Sequence, residues 1–480
     1  MIWIIVTFLI LIFVLYNSLV SNHQKEIQSA TMDNEESKNI LDSSQRSTES
    51  SDRQDYEELN AEQRNLFDRI ENSNDHIFIT GKAGTGKSFL LQYLKRKTKK
   101  SIIVCAPTGV AALNIDARTI HSLFCLPHGF IDTSNLTVRR RTATILKHVD
   151  TLVIDEISMV RADMMDAIDV LLRQARNNDA PFGGVQIIMF GDLYQLPPIV
   201  DNRALGQFFA HNHGGFYFFH AHAWENINLH IFELSEVFRQ KDEEFKKILN
   251  KMRVGDIDTN SLLEINKRAI NFINKDGMIN LVPTNNDASA INHKRLSQLN
   301  EKLYKYIAQI DGDASARDFP VDEILELKKG AQVMFLKNDH QCPYRWANGT
   351  LGIIDSLSDN EITVKVGVIP YSIPRETWKK IDYYYNIETR KVEERVIGQF
   401  TQFPLCLAWA ITIHKAQGKT YDSVVVDMGD GAFAHGQTYV ALSRCTTPDG
   451  LYLKRPLSLS DITVDPVIRS FMSQANIEKI

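Results

Sequence analysis

Apolar residues along this 480-residue chain change their spacing several times, and each change marks an element. The first is an unbroken run, MIWIIVTFLILIFVLYNSLV (Met1–Val20), uncharged and long enough for about 30 Å of helix, the thickness of a bilayer core. It predicts a membrane-spanning or signal-anchor helix over residues 1–20. A cleaved leader fits less well, because no Lys or Arg precedes the run and no A-x-A-like site follows it. The charges behind it are mixed (Lys25, then Glu26, Asp33, Glu35, Glu36) and set no orientation; a start further in, at Met32, is the alternative reading. From Ser21 to Asp55 the sequence is polar and poor in large apolar residues, which predicts a disordered tether.

Periodic sequence begins near Tyr56. LNAEQRNLFDRI places Leu66, Phe67 and Ile70 on one helical face, and Asn60 and Gln63 have the spacing of an N-terminal capping box. Short apolar runs then alternate with helical patterns. HIFIT (His76–Thr80), SIIVCA (Ser101–Ala106), TLVID (Thr151–Asp155) and QIIMFGD (Gln186–Asp192) read as buried parallel strands, with Met164, Ile168, Leu171, Leu172 and Ala175 repeating at helical spacing between the last two. INLVPTN (Ile279–Asn285) and SVVVDM (Ser423–Met428) read as core strands of a second α/β unit. Between them, from roughly residue 330 to 402, AQVMFLKND, GTLGIIDSL and EITVKV alternate apolar and polar positions, which predicts a small antiparallel insertion. The expected division is 56–235 for the first domain and 236–480 for the second, with the β-rich insertion at about 355–402. The fold class is α/β, helices covering parallel sheets.

Composition adds limits. With 44% hydrophobic and 24% charged residues most of the chain is globular, and a net charge of -5 excludes nucleic-acid binding by bulk basicity while leaving room for a local basic groove. Cys105, Cys125, Cys342, Cys406 and Cys445 include no C-x-x-C pair, so their spacing predicts free thiols in a reducing compartment, with no disulfide framework and no cysteine zinc site.

The chemistry starts at ITGKAGTGKSFLL, where Gly81-x4-Gly86-Lys87-Ser88 has the spacing of a phosphate-gripping loop between a strand and a helix. Across Gly81, Ala83, Gly84, Thr85 and Gly86, backbone N–H groups can turn toward phosphate oxygens, and the helix that follows adds its positive end. Lys87 is placed for the β- and γ-phosphates and the Ser88 hydroxyl for Mg2+. In TLVIDEISMV, Asp155 and Glu156 stand at the carboxyl end of a buried strand, suited to hold magnesium and to activate water; capping the next helix is their plainer reading. Gln195, in GDLYQLPPI, is placed to sense the γ-phosphate. Arg239 and Arg444 are candidates for neutralising charge on the transferred phosphoryl group from across a cleft, against the reading as surface arginines.

Taken in order, GKAGTGKS, APTGVAALNI, TIHSLF, VIDEISMV, GDLYQLPPI, ELSEVFRQ, PLCLAWAITIHKAQGKT and QTYVALSR closely resemble the RecD/Pif-type branch of superfamily 1 DNA helicases, over Leu59 to Arg444. The resemblance implies two RecA-like P-loop NTPase domains with ATP between them, moving 5′ to 3′ on single-stranded DNA in the setting of DNA repair, recombination or telomere maintenance. It implies that Gln63 reads adenine, in competition with the capping role. Lys87, Ser88, Asp155, Glu156 and Gln195 match the family's nucleotide residues, and Arg239 and Arg444 its arginine fingers. Thr108, His121, Thr412, His414 and Lys415 match positions that face DNA; for each histidine a packing role is the plainer alternative. Arg139–Arg141 falls where the family carries its strand-separating excursion, and reads equally as a solvated loop. The insertion looks short for the family's β-barrel, and YYYNIETRKVEERVIGQF does not pattern as a compact barrel.

The leading expectation is therefore an ATP- and Mg2+-dependent DNA helicase, an ATP hydrolase acting on single-stranded DNA and duplex junctions inside the cell, with a membrane partner through residues 1–20 if the apolar run is an anchor. The alternatives are a membrane-tethered nucleotide switch that binds DNA without processive unwinding, and a small-molecule phosphoryl-transfer enzyme, which would have no use for TIHS and TIHKAQG.

Overall fold

The computed structural model describes residues 59–479 apart from 128, 201–202, 226, 270–276, 316–318, 342–344, 387 and 390. The expected membrane run and tether, residues 1–55, lie outside the described residues, as does Cys342. Among the described residues, no helix is long and apolar enough to cross a membrane. The chain divides into two units, Met1–Arg64 and Asn65–Ile480. In the first, the Gln63 N–H donates to Asn60 Oδ1 (2.8 Å) and the Asn60 N–H to Gln63 Oε1 (3.2 Å), a reciprocal cap at the start of helix Ala61–Asn72.

In the second unit, a parallel sheet is built from β1 (His76–Gly81), β2 (Ile102–Ala106), β3 (Arg118–Thr119), β4 (Thr151–Ile154), β5 (Gln186–Phe190) and β6 (Leu229–Leu234). Their order across the sheet is β6-β1-β5-β4-β2-β3. Every residue of β4 and β5 is buried, as expected of strands covered on both faces. Helix Ala162–Arg176 buries Met164, Ile168, Leu171 and Leu172 against this core.

A second parallel sheet joins β7 (Ile279–Val282) to β18 (Ala410–Thr412), β19 (Val424–Val426) and β20 (Leu451–Leu453), in the order β18-β7-β19-β20. Between them the chain turns antiparallel: β8 (Tyr304–Ile307), β9 (Gln309–Gly312), β10 (Ile324–Leu327), β11 (Gln332–Phe335), β12 (Leu351–Leu357), β13 (Ile362–Val366), β14 (Ile369–Ile373), β15 (Glu376–Asn386), β16 (Lys391–Gln402) and β17 (Leu405–Leu407). The chain then returns through β18 (Ala410–Thr412), β19 (Val424–Val426) and β20 (Leu451–Leu453). The strand-rich stretch thus starts at Tyr304, upstream of the expected 355, because its first strands are too short and polar to show an alternating pattern. The polar segment that did not pattern as a barrel forms its longest ribbon, β15 paired with β16 along its whole length, and a third strand, β9, completes a separate sheet.

That ribbon lies against the first sheet. The Tyr383 hydroxyl donates to the Val104 carbonyl (3.4 Å), Tyr385 stacks on His148 (3.5 Å, 9°), and buried Asp382 pairs with Arg118 and Arg141. Arg141 is therefore held by the insertion, a role that neither sequence reading of Arg139–Arg141 contained. A last strand, β21 (Ile477–Glu478), pairs in parallel with β6. The end of the chain so belongs to the first sheet, which a single division at 235/236 does not convey.

Candidate functional site

The carboxyl ends of three neighbouring strands, β1, β5 and β4, open on one cleft, the place where open parallel sheets put ligand groups. After β1, the loop Gly81–Gly86 leads into helix Lys87–Lys97, with Gly84 and Gly86 at φ of 84° and 83°. Gly84 needs both its conformation and its missing side chain, since a Cβ there would stand 2.5 Å from that of Arg239. Lys87 folds over the loop, its Nζ donating to the carbonyls of Gly81 (2.5 Å) and Lys82 (3.0 Å). Burial pulls its pKa down, opposed by Asp192, Glu156 and Asp155, so the ammonium sits among carboxylates at the loop.

At the end of β4, Asp155 is buried in the cleft and Glu156 half-buried beside it, and desolvation raises the pKa of each; for Glu156 the neighbouring Asp155 charge raises it further. Glu156 has φ of 49°, uncommon for a residue with a side chain. After β5, Asp192 and Gln195 occupy the adjoining loop, and Gln195 Nε2 donates to Asp192 Oδ2 at 3.3 Å.

The second sheet supplies the opposite wall. Gln417 Nε2 donates to Glu156 Oε2 (2.9 Å) and to Gln195 Oε1 (3.3 Å). Arg444, 2% exposed, donates to the Val440 and Lys419 carbonyls and to Ser443 Oγ. Arg239 reaches the Ser443 carbonyl (3.3 Å), and burial together with the neighbouring Arg444 charge lowers its pKa. Tyr439, on helix Gln437–Leu442, accepts a hydrogen bond from the Ala83 N–H of the phosphate loop (2.9 Å). Gly436 permits that helix to approach, because a Cβ there would lie 2.3 Å from the Tyr194 carbonyl oxygen. Arg253, from helix Glu243–Val254, grips Asp192 through Nε (3.1 Å to both oxygens) and Nη2 (2.9 Å), and reaches Glu233 (3.2 Å).

So Lys87, Asp155, Glu156, Gln195, Arg239 and Arg444 come together, as does the Gly81–Ser88 loop. Gln63 is in the first unit, engaged with Asn60. Sequence reasoning assigned none of Gln417, Asp192, Tyr439 and Arg253 to the nucleotide site. One signal did exist for Arg253: it is a charge on the buried face of its helix, beside Phe245, Leu249 and Met252.

A second opening, with a volume of about 1280 Å³, runs beside the cleft between helix Gly109–Asn114, β18 and the insertion. Thr412, Lys415 and Lys419 line it with Val110, Leu113, Asn114 and Trp378. Acidic side chains line it too, including Asp116, Asp322, Glu323 and Asp339. Of the residues expected to face DNA, Thr412 and Lys415 stand in this opening. Thr108 caps the helix beside it, accepting from the Ala111 N–H (3.2 Å), and Thr412 Oγ1 likewise accepts from the Lys415 N–H (3.2 Å). His414 is half-buried, its pKa lowered by that burial, and His121 sits half-buried on helix Ile120–Phe124; neither lines the opening.

Comparison with known proteins adds three findings. The family model of the PIF1-like helicases matches residues 58–262. The ATP-dependent DNA helicase Pif1 of Bdellovibrio bacteriovorus is 31% identical over 430 residues, covering 87% of this chain and 92% of the relative. Crystal structures of Pif1 from Bacteroides are 36% identical: the complex with ADP-AlF4 has a TM-score of 0.79, covering 87% of this chain and 98% of that one, and the form bound to ssDNA has 0.64, covering 86% and 96%.

Proposed function

This chain belongs to the PIF1-like helicase family, and from the meeting of its two parallel sheets at one cleft we propose that it is an ATP-dependent DNA helicase, moving 5′ to 3′ along single-stranded DNA. The observation that carries the reading is the bond from Gln417 to Glu156. It joins the segment that begins in the DNA-side opening, at Thr412, to the carboxylate placed to activate water. A shift of the DNA-side segment is thereby felt at the hydrolytic centre, which is what a translocating motor requires.

In this reading the loop amides and Lys87 hold the β- and γ-phosphates, and Glu156 takes a proton from the attacking water that Gln195 helps to orient. Arg239 and Arg444, already paired beside the phosphate loop, neutralise the charge that develops on the γ-phosphoryl group. Gln63 reads the adenine. Ser88 and Asp155 offer hard oxygen donors, and burial disfavours the charged form of the Asp155 carboxyl in spite of Lys87 nearby, so the site suits Mg2+, which would supply neutralisation of the phosphate oxygens. Lys415, Thr412 and Thr108 hold the strand by its phosphates, with His121 and His414 toward bases or sugars. The closer match to the ADP-AlF4 relative than to its ssDNA-bound form fits an opening, partly lined by acids, that rearranges when DNA enters.

The partners are single-stranded DNA and duplex junctions, and the place of action is inside the cell, where that DNA is. Attachment through Met1–Val20 is a separate proposal; fractionating cells that carry the chain with and without that run decides it. The function itself is tested by ATP hydrolysis of the full chain with and without single-stranded DNA, followed by strand displacement on forks of either polarity. Strong stimulation, lost in Lys87→Ala, is the expected result. Substantial hydrolysis indifferent to DNA overturns the proposal.

A further inference from the structure

Away from the cleft, three metal-ligating side chains from three separate segments converge. Asp166 lies on helix Ala162–Arg176, His213 directly follows helix Arg203–Asn212, and His222 opens the short turn His222–Trp224. One ligand atom from each lies within 4.8 Å of the others. We propose that Asp166, His213 and His222 bind a divalent transition-metal ion, Zn2+ by the chemistry of the donors, and that the ion staples the 203–224 excursion to the helix that follows the Asp155–Glu156 pair.

Two imidazoles and one carboxylate form a donor set for Zn2+ and its neighbours, whereas Mg2+ and Ca2+ take oxygen ligands. His213 Nε2 stands 3.0 Å from Asp166 Oδ2. That is close to the roughly 3.3 Å between two ligands of a tetrahedral ion with bonds of about 2.0–2.1 Å. The other Asp166 oxygen is pinned by the Ala223 N–H at 2.8 Å, next to His222 in sequence, so the carboxylate is already aimed between the two histidines. His213 is in ring contact with Phe208 and Phe209 and its side chain is only 9% exposed, so the ring is held with its Nε2 facing the carboxylate.

His222 supplies the part that a plain Asp–His hydrogen bond would not need. Its side chain is 57% exposed, its ring centre lies 4.7 Å from that of His213, and its Nδ1 lies 2.9 Å from Glu225 Oε1. A carboxylate on one imidazole nitrogen fixes the tautomer that offers the other to a metal, the usual outer support of a histidine ligand. Solvent at His222 leaves water as the fourth ligand.

The experiment uses the full chain without a histidine tag, freed of metal by a chelator. Co2+ is titrated in as a visible-absorption probe and displaced by Zn2+, with thermal melting followed in parallel. The wild type is expected to take one equivalent with the absorption of a tetrahedral site, and to melt higher with Zn2+. His222→Ala, at an exposed position, is expected to lose both effects, and Glu225→Gln to bind about 10–100-fold more weakly. Binding that His222→Ala leaves intact, or that His211→Ala abolishes instead, places the ion elsewhere and overturns the proposal. So does a wild type that gives no Co2+ absorption and no shift in melting.

Discussion

Gln417 Nε2 stands 2.9 Å from Glu156 Oε2, so an amide from the turn after β18 touches the carboxylate proposed to activate water. The same amide lies 3.3 Å from Gln195, so one side chain reports on two residues of the opposite wall. Gln417→Ala removes the tie while leaving both residues in place. We expect DNA-stimulated hydrolysis to fall on the order of 10²-fold, as for loss of one preorganised donor, with DNA affinity unchanged. Steady-state rates with saturating DNA, alongside a binding isotherm, check it.

The raised pKa of Glu156 makes a second expectation about stability. Because the folded value lies above the ordinary one, the native state holds a proton that the unfolded chain has released, and stability falls as pH rises between the two values. Glu156→Gln removes that dependence. The variant should hydrolyse little ATP, yet melt higher than the wild type without nucleotide, by a margin that grows with pH through this window. A constant margin at all pH values would contradict the shift.

Asp192 is buried and Arg253 meets it with Nε and Nη2. Arg253→Ala leaves the carboxylate with its charge in the interior, a change that typically costs about 3–5 kcal/mol. Denaturant unfolding of the two proteins side by side measures it. Asp192→Asn with Arg253→Met should recover much of the loss, since both charges then go.

Lys415 is exposed in the second opening, beside Thr412, where DNA is proposed to bind. Lys415→Ala should weaken binding about equally for all DNA sequences and reduce the slope of log affinity against log salt by about 1, with basal hydrolysis retained. Fluorescence anisotropy across a salt series reads both. An unchanged slope removes Lys415 from the phosphate contacts.

The parts of the site that could be read from sequence are those whose chemistry fixes local spacing. A loop proposed to turn its amides toward phosphate needs Gly81 to Ser88 in one run, and Asp155 and Glu156 stand together at a strand end, so neighbours in sequence carry the signal. Gln417, Tyr439 and Arg253 act across the cleft, on Glu156, Ala83 and Asp192 far away in the chain, and no local pattern announces such pairs. The two parallel sheets were legible because strands covered on both faces are apolar throughout, like TLVI in β4. The ribbon of β15 and β16 was not: its faces are half-exposed, and its tyrosines and charges are spent on a docking surface supplied by Val104, Arg118 and His148.

The return of β21 to β6 bears on how the protein is made. Glu478 on that strand meets Arg69 and His230, so Ile231 and Phe232, on the edge of the sheet that carries the phosphate loop, are paired by a segment far away in the sequence. During synthesis β6 leaves the ribosome long before Ile477 exists, and its unpaired edge stays open to other chains until then.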